Sequence, residues 1–309
     1  MLKHKDLLGL KDLSREEILL ILETAEHMKK IVCSPNTKSP YFTGKSMATL
    51  FYENSTRTKS SFEFACEYMG GAFSSLNVAT SSVNKGESVL DTLKTIDSFG
   101  TDVIVIRHSQ SGIPHTFAPH VKAHIINAGD GMNEHPTQAL LDMLTLKQNF
   151  DTFQDMQIAI LGDIKHSRVA RSNIWGLSKL GAKIRIYGPG TLLPAGIEKM
   201  PNVTICSSVK EAVKDADAVM GLRLQLERMA KGLIPSMGEF HKKFGVDEQI
   251  LSLAKKDAIL LHPGPVNRNV ELSYDVVDCP QSFINEQVTN GVAVRMAAMY
   301  LLTSGKNVL

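Results

Sequence analysis

The chain lacks the features that mark several large protein classes. Its four cysteines, Cys33, Cys66, Cys206 and Cys279, lie far apart and form no C-x-x-C pair. That spacing argues against a disulfide framework or a thiolate zinc site and fits the reducing cytosol. No apolar run approaches the length needed to span a bilayer, and the stretch after Met-Leu-Lys-His-Lys-Asp is too short for a secretory leader. Neither sign of charge dominates: 34 Lys and Arg against 32 Asp and Glu leave a net +2. Such a balance supplies no global basic field for nucleic acid or an anionic membrane, so any anion site must be local.

Nucleotide and metal motifs are incomplete as well. Gly44-Lys45-Ser46 matches the end of a phosphate loop, but Ser39 occupies the position of the required glycine, and the tripeptide precedes an expected strand instead of following one. Gly162-Asp163-Ile164-Lys165 lacks the G-x-G-x-x-G that lets a backbone approach a dinucleotide. His120 and His124 have helical spacing, yet Pro119 interrupts the segment that they share with His115. Neither a metal nor an organic cofactor is expected.

What is present is an ordinary globular composition, 43% hydrophobic and 21% charged, over a length that suits two α/β domains or a single large one. Ser14 and Glu17 form a capping box ahead of Ile18, Leu22, Ala25 and Met28, which share one helical face. Seven β-rich runs then alternate with helical stretches: 47–52, 102–106, 124–128, 157–161, 183–187, 218–222 and 258–261. Runs such as Val103-Ile104-Val105-Ile106 and Ile158-Ala159-Ile160-Leu161 are apolar without alternation, as strands covered on both faces should be. The fold class is therefore α/β, each sheet parallel and flanked by helices. A long helix from Pro136 to about Phe150 and the polar break Asp151-Thr152-Phe153-Gln154-Asp155 suggest a domain boundary after residue 150.

Chemistry concentrates at strand ends. Phe51-Tyr52-Glu53-Asn54-Ser55-Thr56-Arg57-Thr58 runs from a strand into a helix and carries three hydroxyls and a guanidinium at the junction. Free N–H groups, the helix dipole and a bidentate arginine suit a phosphate there. Arg107 sits at the carboxyl end of another strand, where open α/β sheets bind ligands. Asn127-Ala128-Gly129-Asp130-Gly131 is a glycine-rich turn leading to His135-Pro136-Thr137-Gln138, with proline in the first helical turn. Arg168 follows Gly162-Asp163-Ile164-Lys165-His166-Ser167, and Arg223-Leu224-Gln225 follows a later strand. Leu261-His262-Pro263-Gly264-Pro265 ends a strand in a loop stiffened by two prolines.

Taken together these segments resemble the aspartate and ornithine carbamoyltransferase family, through Ser-Thr-Arg-Thr followed by a basic residue and Ser-Phe-Glu, through His-Pro-Thr-Gln and through His-Pro-x-Pro. The resemblance covers essentially the whole chain. It implies two domains joined by two helices: residues 1–150, completed by a C-terminal helix over 287–309, for carbamoyl phosphate, and residues 151–286 for aspartate. In that reading Ser55, Thr56, Arg57 and Thr58 hold the phosphate, Arg107 contacts both the phosphate and the carbonyl oxygen, and His135 donates to the carbonyl oxygen. Gln138 and the carbonyls around Gly264 and Pro265 would hold the carbamoyl amide. Arg168, Arg223, Gln225 and Lys85 would bind aspartate, and Thr58, Arg107 and His135 are the expected catalytic groups.

The family's counterpart of Ser81-Ser82-Val83-Asn84-Lys85-Gly86-Glu87 enters a neighbouring subunit's site, so Ser81 and Lys85 imply a homotrimer with shared sites. Separate regulatory chains or pathway enzymes are further partners that the resemblance allows. His-Pro-x-Pro is characteristic of the aspartate enzymes; glycine at 264, where leucine or alanine is more usual, departs mildly from it. The alternative is another amine acceptor such as ornithine, since Ser236-Met237-Gly238 matches a fragment of the ornithine motif, although Lys231-Gly232-Leu233-Ile234 stand where an acidic residue would precede it.

Overall fold

The computed structural model describes residues 2–77, 88–225, 232–234 and 236–304. The chain divides into two compact units, Met1–Leu144 with Thr289–Leu309, and Thr145–Val288.

The first unit opens with α1 (Arg15–Val32), whose start is the capping box that the sequence announces. Ser14 Oγ accepts from the Glu17 N–H at 3.2 Å, and the Glu17 carboxylate accepts from the Ser14 N–H at 2.9 Å. Then follow β1 (Ser46–Phe51), α2 (Thr56–Tyr68), β2 (Ala72–Asn77), α3 (Val89–Ser98), β3 (Val103–His108), α4 (Ile113–Phe117), β4 (His124–Asp130) and α5 (Pro136–Asn149). Four parallel strands lie in the order β2-β1-β3-β4. Ala48, Leu50, Ile104, Ile106 and Ile125 form a core with Leu93 and Ile96 of α3. These aliphatic strands are covered by helices, which explains why their sequences show no period of two.

The second unit contains β5 (Gln157–Leu161), α6 (Arg168–Leu180), β6 (Lys183–Tyr187), β7 (Val203–Ile205), α7 (Val209–Val213), β8 (Ala218–Gly221), α8 (Met237–Phe244), α9 (Glu248–Leu251), β9 (Ile259–Leu261) and α10 (Tyr274–Val277). Its parallel sheet has the order β7-β6-β5-β8-β9, with Ala159, Leu161, Val219 and Leu260 packed against Val246, Leu272 and Val276. The last helix, α11 (Ile284–Thr303), carries buried Ala293, Val294, Met296, Ala297 and Met299. The division between units falls within α5 and within α11, so the chain changes unit inside helices.

All seven expected runs are strands, and two more appear, β2 and β7. Both are edge strands with no buried residue described: β2 mixes Ala, Phe, Ser and Leu, and β7 is only three residues long, so their sequences carry little of the buried-strand signal. The sheet orders matter for function. In the first sheet the chain steps outward from β1 to β2 and then returns to β3; in the second it steps from β5 through β6 to β7 and returns to β8. Loops at the carboxyl ends on either side of such a reversal diverge and leave a crevice, where open α/β sheets bind ligands.

Candidate functional site

The reversal in the first sheet lies between β1 and β3, which pair in register from Met47↔Val103 to Phe51↔Arg107. Beyond β1 the chain turns at once into α2. Its N-cap, Ser55, is extended, makes no side-chain cap bond, and is followed by a first turn without an acidic residue. The helix dipole therefore meets no carboxylate in its own first turn, and the three residues after the cap are Thr56, Arg57 and Thr58. Thr56 and Arg57 are exposed, whereas Thr58 is buried. Phe62 anchors the helix beneath them, and Glu63 accepts from Ser75 Oγ of β2. This is the arrangement that an oxyanion of high charge requires.

Arg107 belongs to the neighbouring strand end. A register shift between Ile106 and His108 interrupts the β3–β4 ladder there. Its Nη2 donates to Glu53 Oε1 at 2.6 Å and Nη1 to the Ala128 carbonyl at 3.4 Å. Glu53 is the residue that sequence reasoning missed: it lies in the quoted motif, but a carboxylate beside a phosphate site carried no obvious signal. Next to it, His108 accepts from the Gln110 N–H at 2.9 Å and packs on the Tyr52 ring at 5.0 Å. Burial pushes the His108 imidazole below its ordinary value, against the opposing pull of Asp130 and Glu53.

The β4–α5 turn is built on buried carboxylates. Asp130 accepts from the Gly112 N–H at 2.6 Å, from Asn127 Nδ2 at 2.8 Å and from the Glu134 N–H at 3.1 Å. Gly131 approaches Ser111 so closely that a Cβ would stand 2.7 Å from that residue's backbone nitrogen, which excludes a larger residue there. The Glu134 carboxylate receives the Leu10 and Lys11 N–H groups at 2.7 and 3.2 Å. This scaffold presents His135, buried at the cap of α5, its carbonyl accepting from the Gln138 N–H at 3.0 Å. Gln138 Nε2 donates to buried Asp142 at 3.0 Å, which turns Gln138 Oε1 away as an acceptor.

In the second unit the reversal lies between β5 and β8, and the remaining expected residues follow these strands. Ser167 caps α6 by accepting from the Ala170 N–H at 3.1 Å, so buried Arg168 is the first helical residue. Fully buried Asp163 ties the two loops together. It accepts from His166 Nδ1 at 2.9 Å, from the His166 N–H at 3.1 Å and, from beyond β8, from the Gln225 N–H at 3.3 Å. Gln225 thus stands beside Asp163, and its Nε2 donates to the Arg223 carbonyl at 3.4 Å. Gly264 and Pro265 follow β9, the neighbour of β8. Ser81 and Lys85 lie outside the described residues. Among the described residues no cluster of metal-ligating side chains occurs, and no helix is long and apolar enough to cross a membrane.

Arginine and hydroxyl side chains at the order reversals of two parallel sheets are the mark of a class of α/β enzyme that binds small anionic metabolites at strand ends. More narrowly, the chain belongs to the aspartate/ornithine carbamoyltransferase family. The family's carbamoyl-P binding domain matches residues 5–148 and its Asp/Orn binding domain residues 154–302. The chain is 61% identical over 302 residues to the aspartate carbamoyltransferase catalytic subunit of Ruminiclostridium cellulolyticum, covering 98% of this chain and 96% of the relative. The corresponding subunit of Acetivibrio thermocellus is 60% identical over 311 residues, with 100% and 99% covered. Among solved structures, Trypanosoma cruzi aspartate transcarbamoylase in complex with carbamoyl phosphate and aspartate superposes with a TM-score of 0.88 at 30% identity, covering 97% of both chains.

Proposed function

We propose that this chain transfers the carbamoyl group of carbamoyl phosphate to the amine of L-aspartate, giving N-carbamoyl-L-aspartate and phosphate, a step of pyrimidine biosynthesis. The observation that carries the reading is the start of α2, an acid-free helix N-terminus bearing Ser55, Thr56, Arg57 and Thr58 at the sheet reversal, with Arg107 on the adjoining strand end. Each charge-assisted hydrogen bond from these groups to a phosphate contributes about 1.5–3 kcal/mol. The unit containing β1–β4 is the carbamoyl phosphate domain in this reading, and the unit containing β5–β9 the aspartate domain, with Arg168, Arg223 and Gln225 on the carboxylates and Lys85 joining them.

Thr58, Arg107 and His135 donate to the carbonyl oxygen as the amine attacks, and each strong donor to the tetrahedral oxyanion is worth about 2.7–4 kcal/mol. Gln138 Oε1, freed for acceptance by the bond from Nε2 to Asp142, takes the carbamoyl NH2 together with carbonyls around Gly264 and Pro265. The departing phosphate is basic enough to remove the amine proton, so neither a covalent nucleophile nor a metal enters the scheme. Holding both reactants in contact supplies much of the remaining acceleration.

The ornithine alternative draws on Ser236-Met237-Gly238, and those residues have a structural use: Ser236 Oγ accepts from the Glu239 N–H at 3.1 Å and caps α8. The proposal extends to a cytoplasmic homotrimer in which Ser81 and Lys85 complete a neighbour's site, with regulatory chains or pathway enzymes as further partners. Arg57→Ala tests the phosphate assignment. Carbamoyl transfer is expected to fall at least about a hundredfold with the fold retained by circular dichroism; unchanged kinetics would remove the assignment. Aspartate should outcompete ornithine as acceptor in the same assay.

A further inference from the structure

The loop after β9 is closed by a buried pair that the reaction scheme leaves unused. His262 and Glu271 are 1% and 3% exposed. The Gly264 N–H donates to His262 Nδ1 at 2.8 Å, and a ring nitrogen that accepts cannot carry a hydrogen. The hydrogen must therefore sit on Nε2, which lies 3.2 Å from Glu271 Oε1, a close electrostatic contact without hydrogen-bond alignment. The same Oε1 accepts from the Asn267 N–H at 2.6 Å. Beyond that, Glu271 Oε2 is buried with no hydrogen-bond partner. The His262 N–H is fixed independently, by Gln287 Oε1 of α11 at 2.9 Å.

We infer that Glu271 is a positioning residue for carbamoyl transfer: it holds His262 as the Nε2–H tautomer and grips Asn267, clamping both ends of the 262–267 loop. The inference rests on the proposed role of the Gly264 and Pro265 carbonyls as acceptors for the carbamoyl NH2. Gly264, at φ 60, is a backbone position with little intrinsic stiffness. Its N–H is tied down by Nδ1, so the direction of the adjoining carbonyls follows the tautomer. A carboxylate opposite Nε2 favours the tautomer with hydrogen there; without it, hydrogen on Nδ1 becomes competitive and would expel the Gly264 N–H.

The test uses the full chain with 15N-labelled histidine. In the wild type His262 should show an unprotonated Nδ1. Glu271→Ala should give a mixture of tautomers, a rise of about tenfold or more in KM for carbamoyl phosphate, and a smaller change in KM for aspartate. Glu271→Gln keeps an acceptor for both Nε2–H and the Asn267 N–H, so it should retain the wild-type tautomer and stay within about threefold of wild-type kinetics. A protonated Nδ1 in the wild type overturns the inference, as does wild-type kinetics in Glu271→Ala or equal loss in the alanine and glutamine variants. Should Glu271→Ala not fold, the wild-type and glutamine spectra still decide. If Arg57→Ala keeps full carbamoyl transfer while the Glu271 variants behave as expected, the phosphate assignment to the start of α2 fails and the His262–Glu271 clamp does not.

Discussion

At the scale of single residues, the anion site is a contest between carboxylates and guanidinium groups. Arg107 is held at 2.6 Å by Glu53, its side chain only 12% exposed, so its fork is already aimed before a phosphate arrives. An arginine freed of that contact would have to be ordered again on binding. Glu53→Gln is accordingly expected to lower kcat/KM for carbamoyl phosphate about tenfold. A rise instead would mean that Glu53 acts mainly as a competitor for Arg107. The neighbouring His108 offers a test by pH. Burial depresses its folded-state value below the ordinary 6.5, so the neutral ring is the form the fold prefers. The stability it contributes is complete above the unfolded value and is lost as pH falls below it toward the folded one. Thermal scans should show Tm falling less in His108→Gln than in wild type when pH drops from about 7.5 to about 5.5.

Elements differ in how far their sequences announce them. The strands β1, β3, β4, β5, β8 and β9 were legible because their central residues are buried and mostly apolar, while β2 and β7 are edges whose described residues are half-exposed or exposed. Helix α11 was legible as a helix, but apolarity on all sides told nothing of its neighbours. The structure supplies one through Arg295. This side chain is buried, lies over the Phe62 ring of α2 at 5.1 Å, and is drawn toward Asp142 of α5, so it joins the helix that opens with Ser55 and Thr56 to the helix that carries Gln138. Desolvation pushes its guanidinium down to about 9, against the opposing influence of Asp142. Arg295→Ala would leave the Asp142 carboxylate buried without that compensating charge, at a cost of about 3–5 kcal/mol. A fall of that size in the unfolding free energy extrapolated from urea titration, with slower transfer through a misplaced Gln138, is the expected result.

For the molecule as a whole, the proposed ligating residues could be nominated one by one because binding in a parallel sheet is confined to strand ends, and strand ends are where a hydrophobic run stops. The carboxylates that shape the site were not. Glu53, Asp142, Asp163 and Glu271 act through partners brought close by the order of strands and helices, which a linear reading does not contain. Assembly is the remaining scale, and the proposed trimer makes a demand that a monomer cannot meet. If Arg57 and Lys85 serve one site from different subunits, then chains carrying Arg57→Ala and chains carrying Lys85→Ala are each inactive alone. Mixed after dissociation and reassembly, some neighbours would combine an intact Arg57 on one chain with an intact Lys85 on the next. Random assembly of equal amounts makes about a quarter of the sites whole. Activity should therefore reappear to about that fraction in the mixture and remain absent in either parent. A mixture as inactive as its parents would show that each chain completes its own site, and the shared-site trimer would be wrong even if the chemistry is right.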